Sequence, residues 1–332
     1  MLSRAEAEAF MEELLTGRIA TPEIVRMLLA LNRRAVSVDE LVGFARVMRK
    51  HASPVFNPDE LRPAGLVDTC GTGGDETGTF NISTASAIVA AAAGARVAKH
   101  GNRSVSSRSG SADVLKALGV RIDLPMMVAG RSVREIGIGF LFAPAAHAAA
   151  RHAASARQQI GKRTIFNLLG PLTNPAGAEA HVLGVFSPDV IDTVAATLAE
   201  LGTHRAFVVH GAGGLDEISL SGETQIAEVR HGTVRRFIVA PEDFGVSRAP
   251  LEAIRGGAPL DNARLIDSLL AGEPGPRLDI VMANAAAALI VTGIADDFRA
   301  AAELARRAVA SGEAQQKLTR LKDFSQKHAP PK

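Results

Sequence analysis

A short apolar run, Gly65-Leu66-Val67, leads into Asp-Thr-Cys-Gly-Thr-Gly-Gly-Asp-Glu-Thr-Gly-Thr-Phe-Asn-Ile-Ser-Thr at residues 68–84, and an alanine-rich run follows. That order reads as a strand, a glycine-rich turn and a helix. It opens a βαβ unit whose next strand must lie parallel to the first. Gly71, Gly73 and Gly74 let successive backbone N–H groups converge without Cβ obstruction, and the helix N-terminus adds partial positive charge. The result is a cradle suited to phosphate. It is not a Walker loop, because no Gly-Lys-Ser/Thr completes it. Nor is it the dinucleotide fingerprint, because Glu76 stands where the last glycine would fall.

Beyond the turn, strand-like and helix-like segments alternate. Strands are expected at 66–70, 96–98, 138–142, 181–186 and 206–210, and helices at 83–93, 112–118, 145–160 and 189–201. Such alternation predicts a mostly parallel sheet flanked by helices. Residues 225–240 differ: two β-rich runs flank His231-Gly232 and read as an antiparallel hairpin on that sheet. From 262 onward the chain is helical again, with a turn at 272–276. Residues 1–50 also read as helices, with apolar pairs such as Leu14/Leu15, Ile24/Val25 and Leu28/Leu29 at helical spacing and Thr21-Pro22-Glu23 as a helix start. Pro54, Pro58 and Pro63 then break the pattern. The expected division is therefore a helical domain over 1–64, joined by helices from about 162–178, and an α/β domain over 65–332.

The 332 residues, 47% hydrophobic, are enough for a large core and two domains. A formal net charge of +2 with scattered basic pairs gives no footprint for nucleic acid or an anionic membrane. The longest apolar stretches, such as 283–292, fall well short of the ~20 residues that span a bilayer. Cys70 is the only cysteine, so no intramolecular disulfide forms, and a reducing, cytoplasmic location is expected.

Several polar clusters follow predicted strands. Lys99-His100-Gly101-Asn102-Arg103-Ser104 comes after the second strand, at the edge where the glycine turn lies, and Ser106-Ser107-Arg108-Ser109-Gly110-Ser111 opens the next helix. Cations, hydroxyls and a second helix start beside the first cradle suit a ligand with more than one phosphate. Leu215-Asp216-Glu217 follows a later strand and the glycines Gly211, Gly213 and Gly214. Two carboxylates facing a phosphate cradle suit Mg²⁺, which favours few carboxylates plus water and phosphate oxygens. His147 and Arg157, placed on one helix, would be about 80° apart in azimuth and border one cleft. Arg157 offers a fork that fits a carboxylate. The run 164–175 reads as an apolar helix stopped by Gly170-Pro171. No Gly-x-Ser-x-Gly elbow or His-Glu-x-x-His spacing occurs, so nucleophilic and zinc chemistry are unsupported.

Taken together, Gly71-Thr72-Gly73-Gly74-Asp75, Phe80-Asn81-Ile82-Ser83-Thr84, Lys99-His100-Gly101-Asn102-Arg103, residues 139–144, 163–175 and Leu215-Asp216-Glu217 strongly resemble the anthranilate phosphoribosyltransferases. The resemblance runs to about residue 312. It implies a small N-terminal helical domain, a larger α/β domain with a mostly parallel central sheet, a cleft between them and a homodimer. It implies transfer of the phosphoribosyl group of 5-phosphoribosyl 1-pyrophosphate to the amine of anthranilate, in tryptophan biosynthesis. The donor would bind along Gly71, Gly74, Asp75, Thr79, Asn81, Ile82, Ser83, Thr84, Lys99, His100, Gly101, Asn102, Arg103, Ser104, Val105, Ser106, Ser107 and Ser111. Anthranilate would meet Gly71, Asn102, His147 and Arg157. Mg²⁺, one or two ions per subunit, would be held by Ser83, Asp216 and Glu217. No strong general base is assigned, and His100 is the candidate for taking up the amine proton. The sequence departs from the family at Glu76, where members carry glycine; at positive φ a glutamate costs on the order of 1 kcal/mol or more. Two rival readings are a pyrimidine nucleoside phosphorylase, which shares a glycine-rich loop but not the Lys-His-Gly-Asn run, and a non-catalytic nucleic-acid-binding paralogue. The balanced charge and the acidic pair speak against the latter.

Overall fold

The computed structural model of the chain describes residues 1–57, 59–75, 77–104 and 108–330. Three helices open it: α1 (Arg4–Leu15), α2 (Thr21–Asn32) and α3 (Val38–Lys50). Ser3 with Glu6 and Ser37 with Glu40 form capping boxes that satisfy the first N–H groups of α1 and α3. α2 starts one residue earlier than the Thr-Pro-Glu signal suggests: Ala20 is its N-cap and Thr21 is already helical. The three helices bury Met11, Leu14, Ile24, Leu28, Leu41 and Phe44 in one apolar cluster. That cluster also takes in Ala153, Ala156, Phe166, Leu169 and Leu172 from much later in the chain.

A seven-stranded sheet follows, built from β1 (Leu66–Gly71), β2 (Arg96–Gly101), β3 (Ile138–Phe142), β4 (Ala180–Gly184), β5 (Arg205–Gly211), β6 (Thr224–Arg230) and β7 (Thr233–Val239). Its spatial order is β3-β2-β1-β4-β5-β6-β7. The first five strands are parallel, and β6 and β7 pair antiparallel through the His231-Gly232 turn, where both residues have positive φ. α4 (Ile82–Ala92), α5 (Ser111–Ala117) and α6 (Met126–Ile136) fill the connections of the first half. A broken segment follows β3: α7 (Ala143–Ala146), a 3-10 turn (Ala148–Ala153) and α8 (Ala154–Ile160). α9 (Ile165–Leu172) leads to β4, α10 (Ile191–Glu200) links β4 to β5, and α11 (Pro259–Leu270), α12 (Pro276–Val291), α13 (Phe298–Ala310) and α14 (Glu313–Lys327) close the chain. α12, buried from Ile280 to Val291, packs on α4 and lies against one face of the sheet. Alanine dominates both helices, so they approach closely. No described helix is long and apolar enough to cross a membrane.

Two expectations need correction. Residues 145–160 are not one helix: His147 leaves helical geometry at φ −121°, ψ 56°, and the chain restarts as a 3-10 turn before α8. His147 and Arg157 therefore do not share a helix face. The cause is burial, since the His147 ring is drawn inward to the Thr173 carbonyl, 3.0 Å from its Nε2. Pro171 also does not end the helix itself; it lies within α9, whose last residue is Leu172 and whose C-cap is Thr173. α6, bearing Met126 and Val133 on its buried side, has no counterpart among the elements expected from the sequence.

The chain turns back between β1 and β4. Strands laid down first run outward through β2 to β3, and those laid down later run the other way. In open α/β sheets the crevice beyond the carboxyl ends at such a reversal is where ligands bind. The acidic turn after β5 folds directly over the end of β4, and a Cβ built on Gly184 would overlap the Asp216 carbonyl. Gly184→Ala is therefore expected to push residues 216–217 off the sheet and lower stability by about 1–3 kcal/mol. A urea-unfolding midpoint equal to that of the parent would show that the turn yields freely.

Candidate active site

The carboxyl ends of β1, β2 and β5 converge on one cleft of about 600 Å³. The glycine turn after β1 forms its floor. Gly73 and Gly74 take φ of 64° and 74°, a left-handed geometry that only glycine adopts without strain. Thr72 anchors the turn to the neighbouring strand: its N–H donates to the Gly184 carbonyl at 2.9 Å, and its hydroxyl accepts the Phe186 N–H at 3.1 Å. Asn81 precedes α4 and is fixed by three bonds, one of them from the Ser109 hydroxyl to its Oδ1 at 3.0 Å. Its Nδ2 donates to the Ser109 carbonyl at 3.0 Å, while Asn262 Nδ2 donates to its Oδ1 at 3.0 Å. Thr79 pairs with Arg255 in an isolated bridge.

The acidic pair sits under this turn. Asp216 Oδ2 accepts the Gly73 N–H at 3.0 Å, and the nearby Ser83 backbone favours the charged form of Glu217. Burial first, and then the charge of Asp75, pushes the Asp216 carboxyl up to about 7; burial and the neighbouring Asp216 raise Glu217 well above the usual carboxylate range. Lys99 is the buried cation set among them. It is 3% exposed, with Nζ donating to the Thr69 carbonyl at 2.5 Å and to Ser83 Oγ at 3.3 Å. Burial lowers its affinity for a proton, and the surrounding acids act against that. Beneath it Asp68, fully buried, accepts the His100 N–H at 3.1 Å and Asn174 Nδ2 at 2.8 Å. This network joins β1, β2 and the segment after α9.

Two further groups complete the wall. His100 Nδ1 lies 3.2 Å from the Gly170 carbonyl, which makes it the N–H donor and leaves Nε2 a buried acceptor with no partner among the described residues. Burial holds the ring neutral, with its pKa brought down to about 3. His147 packs edge-on to it, ring centroids 5.2 Å apart. Arg157 reaches the cleft from α8, its guanidinium 5.1 Å from the centroid of the Phe166 ring. No carboxylate among the described residues pairs with it, and burial makes it a less ready cation than usual.

Two family models cover the chain: a glycosyl transferase family helical bundle domain over residues 1–52 and a glycosyl transferase family a/b domain over residues 63–315. A curated anthranilate phosphoribosyltransferase of Symbiobacterium thermophilum is 49% identical over 324 residues, covering 98% of this chain and 94% of that protein. The chain belongs to the anthranilate phosphoribosyltransferase family. The solved structure of the Thermus thermophilus member superposes with a TM-score of 0.92 at 44% identity, covering 98% of this chain and 96% of that one. The Saccharomyces cerevisiae member, solved in complex with PRPP and Mg, superposes at 0.89 with 25% identity, covering 98% and 94%.

Of the residues that the anthranilate phosphoribosyltransferase resemblance implies, Gly71, Gly74, Asp75, Thr79, Asn81–Thr84, Lys99–Ser104, Ser111, Arg157, Asp216 and Glu217 all line the one cleft. His147 does not; it stands behind His100 as a packing partner. Val105, Ser106 and Ser107, and Glu76 with its departure from the family, lie outside the described residues. The residues that sequence reasoning misses are Asn167, Gly170 and Pro171, which form the wall facing the glycine turn, and Gly256-Gly257, which close its far end. Asn167 is both a cap and a contact: its Oδ1 accepts the Thr164 N–H at 3.1 Å while its Nδ2 approaches the Thr72 carbonyl at 3.5 Å. The sequence signals for them are the 163–175 run, which carries the resemblance without being assigned to the site, and the Gly256-Gly257 pair before the helical region expected from 262.

Buried neutral histidines make the fold acid-sensitive. His181 on β4 is fully buried and its pKa is pushed down to about 4, first by burial and then by the Arg49 charge. The unfolded chain takes up a proton below about 6.5 that the folded chain refuses until about 4, so stability falls as pH drops through that window. His181 alone contributes on the order of 3 kcal/mol to this loss, and His100 and His147 act in the same direction. His181→Asn is expected to flatten the pH dependence of the urea midpoint between pH 6.5 and 4 by about one proton; an unchanged slope would show that His181 is not a source.

Proposed function

We propose that the cleft binds 5-phosphoribosyl 1-pyrophosphate and anthranilate and joins the anthranilate amine to C1 of the ribose, releasing pyrophosphate, as a step of tryptophan biosynthesis. The observation that carries this reading is the convergence of a glycine phosphate cradle, a half-buried acidic pair and an arginine that no described carboxylate pairs, at one strand edge. The activity of the family and the PRPP and Mg bound by the yeast member support it. The protein is expected to act as a cytoplasmic homodimer, with residues 1–64 and about 162–178 forming the helical side of the cleft.

Among the described residues no three His, Cys, Asp or Glu side chains gather as a complete metal site. Asp216, Glu217 and the Ser83 hydroxyl are instead a partial set of hard oxygen donors, suited to Mg²⁺ that also takes phosphate oxygens and water. Burial first, then the charge of Asp75 at Asp216 and of Asp216 at Glu217, raises the pKa of both carboxyls, a cost that a divalent cation would offset. Bound there, Mg²⁺ would neutralise charge on the departing pyrophosphate.

The chain's own groups supply the rest. Backbone N–H groups of the glycine turn and the start of α4 face the donor's phosphates, fixed before the reaction, and such preorganised dipoles contribute several kcal/mol to leaving-group departure. Arg157 can hold the anthranilate carboxylate in a fork, and Asn102 can orient the amine, so attack on C1 gains chiefly from proximity. An aromatic amine is neutral at pH 7 and needs no deprotonation before attack. His100 presents Nε2 as an acceptor for the amine proton, but with its pKa brought down to about 3 it acts as a hydrogen-bond acceptor rather than a proton store.

Two measurements test this. Anthranilate fluorescence should fall when the phosphoribosyl donor is added with Mg²⁺ and stay constant without it, and Asp216→Asn with Glu217→Gln should abolish the decay while leaving the urea midpoint in place. Near-parental turnover by that variant with normal metal dependence would remove the acidic pair from the metal site. Arg157→Ala should raise the anthranilate KM by about 10- to 100-fold and the donor KM by no more than about twofold, as loss of one charge-assisted pair predicts; equal effects would refute the clamp.

A further inference from the structure

The glycine turn is held from outside the cleft by a side chain that the functional reading leaves idle. Arg163, between α8 and α9, donates from Nη1 to the Gly74 carbonyl at 2.5 Å. Its guanidinium lies 4.4 Å from the centroid of the Phe186 ring, just past β4, and its own carbonyl accepts Asn32 Nδ2 of α2 at 2.7 Å. Arg163 does not line the cleft, whereas Gly74 and Asp75 do.

A peptide group is planar and here trans, so a carbonyl fixed on one side fixes the next N–H on the other. Gly73 and Gly74 are consecutive residues of left-handed φ with no side chain of their own to resist a peptide flip. Thr72 is anchored to β4, and Gly73 N–H to Asp216. Two peptides further on, the Gly74–Asp75 peptide is restrained at the Gly74 carbonyl by Arg163. A flat guanidinium suits this position, because it stacks on Phe186 while one N–H reaches the carbonyl, and a lysine cannot do both together.

We propose that Arg163 is a positioning residue for donor binding: clamped between Phe186 and Asn32, it holds the Gly74 peptide so that the Asp75 N–H faces the phosphates. It also ties the helical domain to the phosphate cradle, because Asn32 closes α2. The inference rests on the reading of the cleft as the phosphoribosyl-donor site.

Calorimetric binding of the donor with Mg²⁺, together with steady-state kinetics, tests it on the full-length protein. Arg163→Ala is expected to weaken donor Kd and KM by about tenfold, in line with loss of one hydrogen bond to a charged group. The anthranilate KM should stay within about twofold and the urea midpoint near the parent's. Arg163→Lys should resemble Arg163→Ala, and Phe186→Leu, which keeps the charge but removes the ring, should weaken donor binding about threefold, the loss of one cation–π contact. An unchanged donor Kd in Arg163→Ala, equal weakening of both substrates, or full rescue by lysine would overturn the proposal; the last would assign the effect to charge alone. Parent protein that neither binds the donor nor turns over would instead sink the functional reading beneath it.

Discussion

Parallel pairing of β1 with β2 on one side and β4 on the other is the constraint from which the site follows. Leu66 pairs with Arg96 and Val67 with both Val97 and Ala180, so the three strands end at one level. Whatever follows a strand must then emerge at that rim. The glycine turn follows β1, the Lys-His-Gly-Asn segment completes β2, and the Asp-Glu pair follows β5 and leans back over Gly184. An antiparallel neighbour at β1 would have sent one of these segments to the opposite edge. The antiparallel strands β6 and β7 are confined to the far side, where no cleft residue is drawn from them.

The chemistry of the cleft depends on charge held in places where water is scarce. Lys99, Asp68 and the acidic pair are each disfavoured by burial and tolerated because they answer one another and share fixed hydrogen bonds. Asp68 gives both oxygens to structure, one to the His100 N–H and one to Asn174. Lys99 gives its protons to a carbonyl and to Ser83. Asp216 occupies a cradle N–H that an incoming phosphate could also use. Such a site is poor for stability and well prepared for a ligand that carries several negative charges and a cation.

The helical domain contributes more than a lid over the sheet. Its apolar cluster runs without a break into Phe166, Leu169 and Leu172 and on to Leu183 and Val208 of the sheet, so α9 packs on the N-terminal helices although it is distant in sequence. Through α9 and the segment before it, Phe166, Asn167, Gly170, Arg157 and Arg163 reach the cleft or its supporting turn. The two parts of the chain therefore meet at the site itself.

Much of this was legible in the residues. The glycine turn, the alternation of strands and helices, the hairpin at His231-Gly232 and the polar clusters after strands all follow from local rules: positive φ demands glycine, apolar periodicity selects the element, and parallel crossovers put loops on one edge. The long motifs were specific enough to give the family as well. Other features were hidden because they depend on contacts between residues far apart. The break at His147 comes from a carbonyl 26 positions later, and nothing local forbids a helix there. Pro171 sits inside α9 because packing against the N-terminal helices outweighs the cost of a proline. Arg163, in sequence only the first residue of the 163–175 run, gains its place only when β4 brings Phe186 beneath it. The sequence alone thus determined most of the strands and helices and the glycine-rich and polar turns between them, since those are short-range properties of the chain. The tertiary structure alone decided which side chains steady them, because that requires distant residues to be packed at fixed distances.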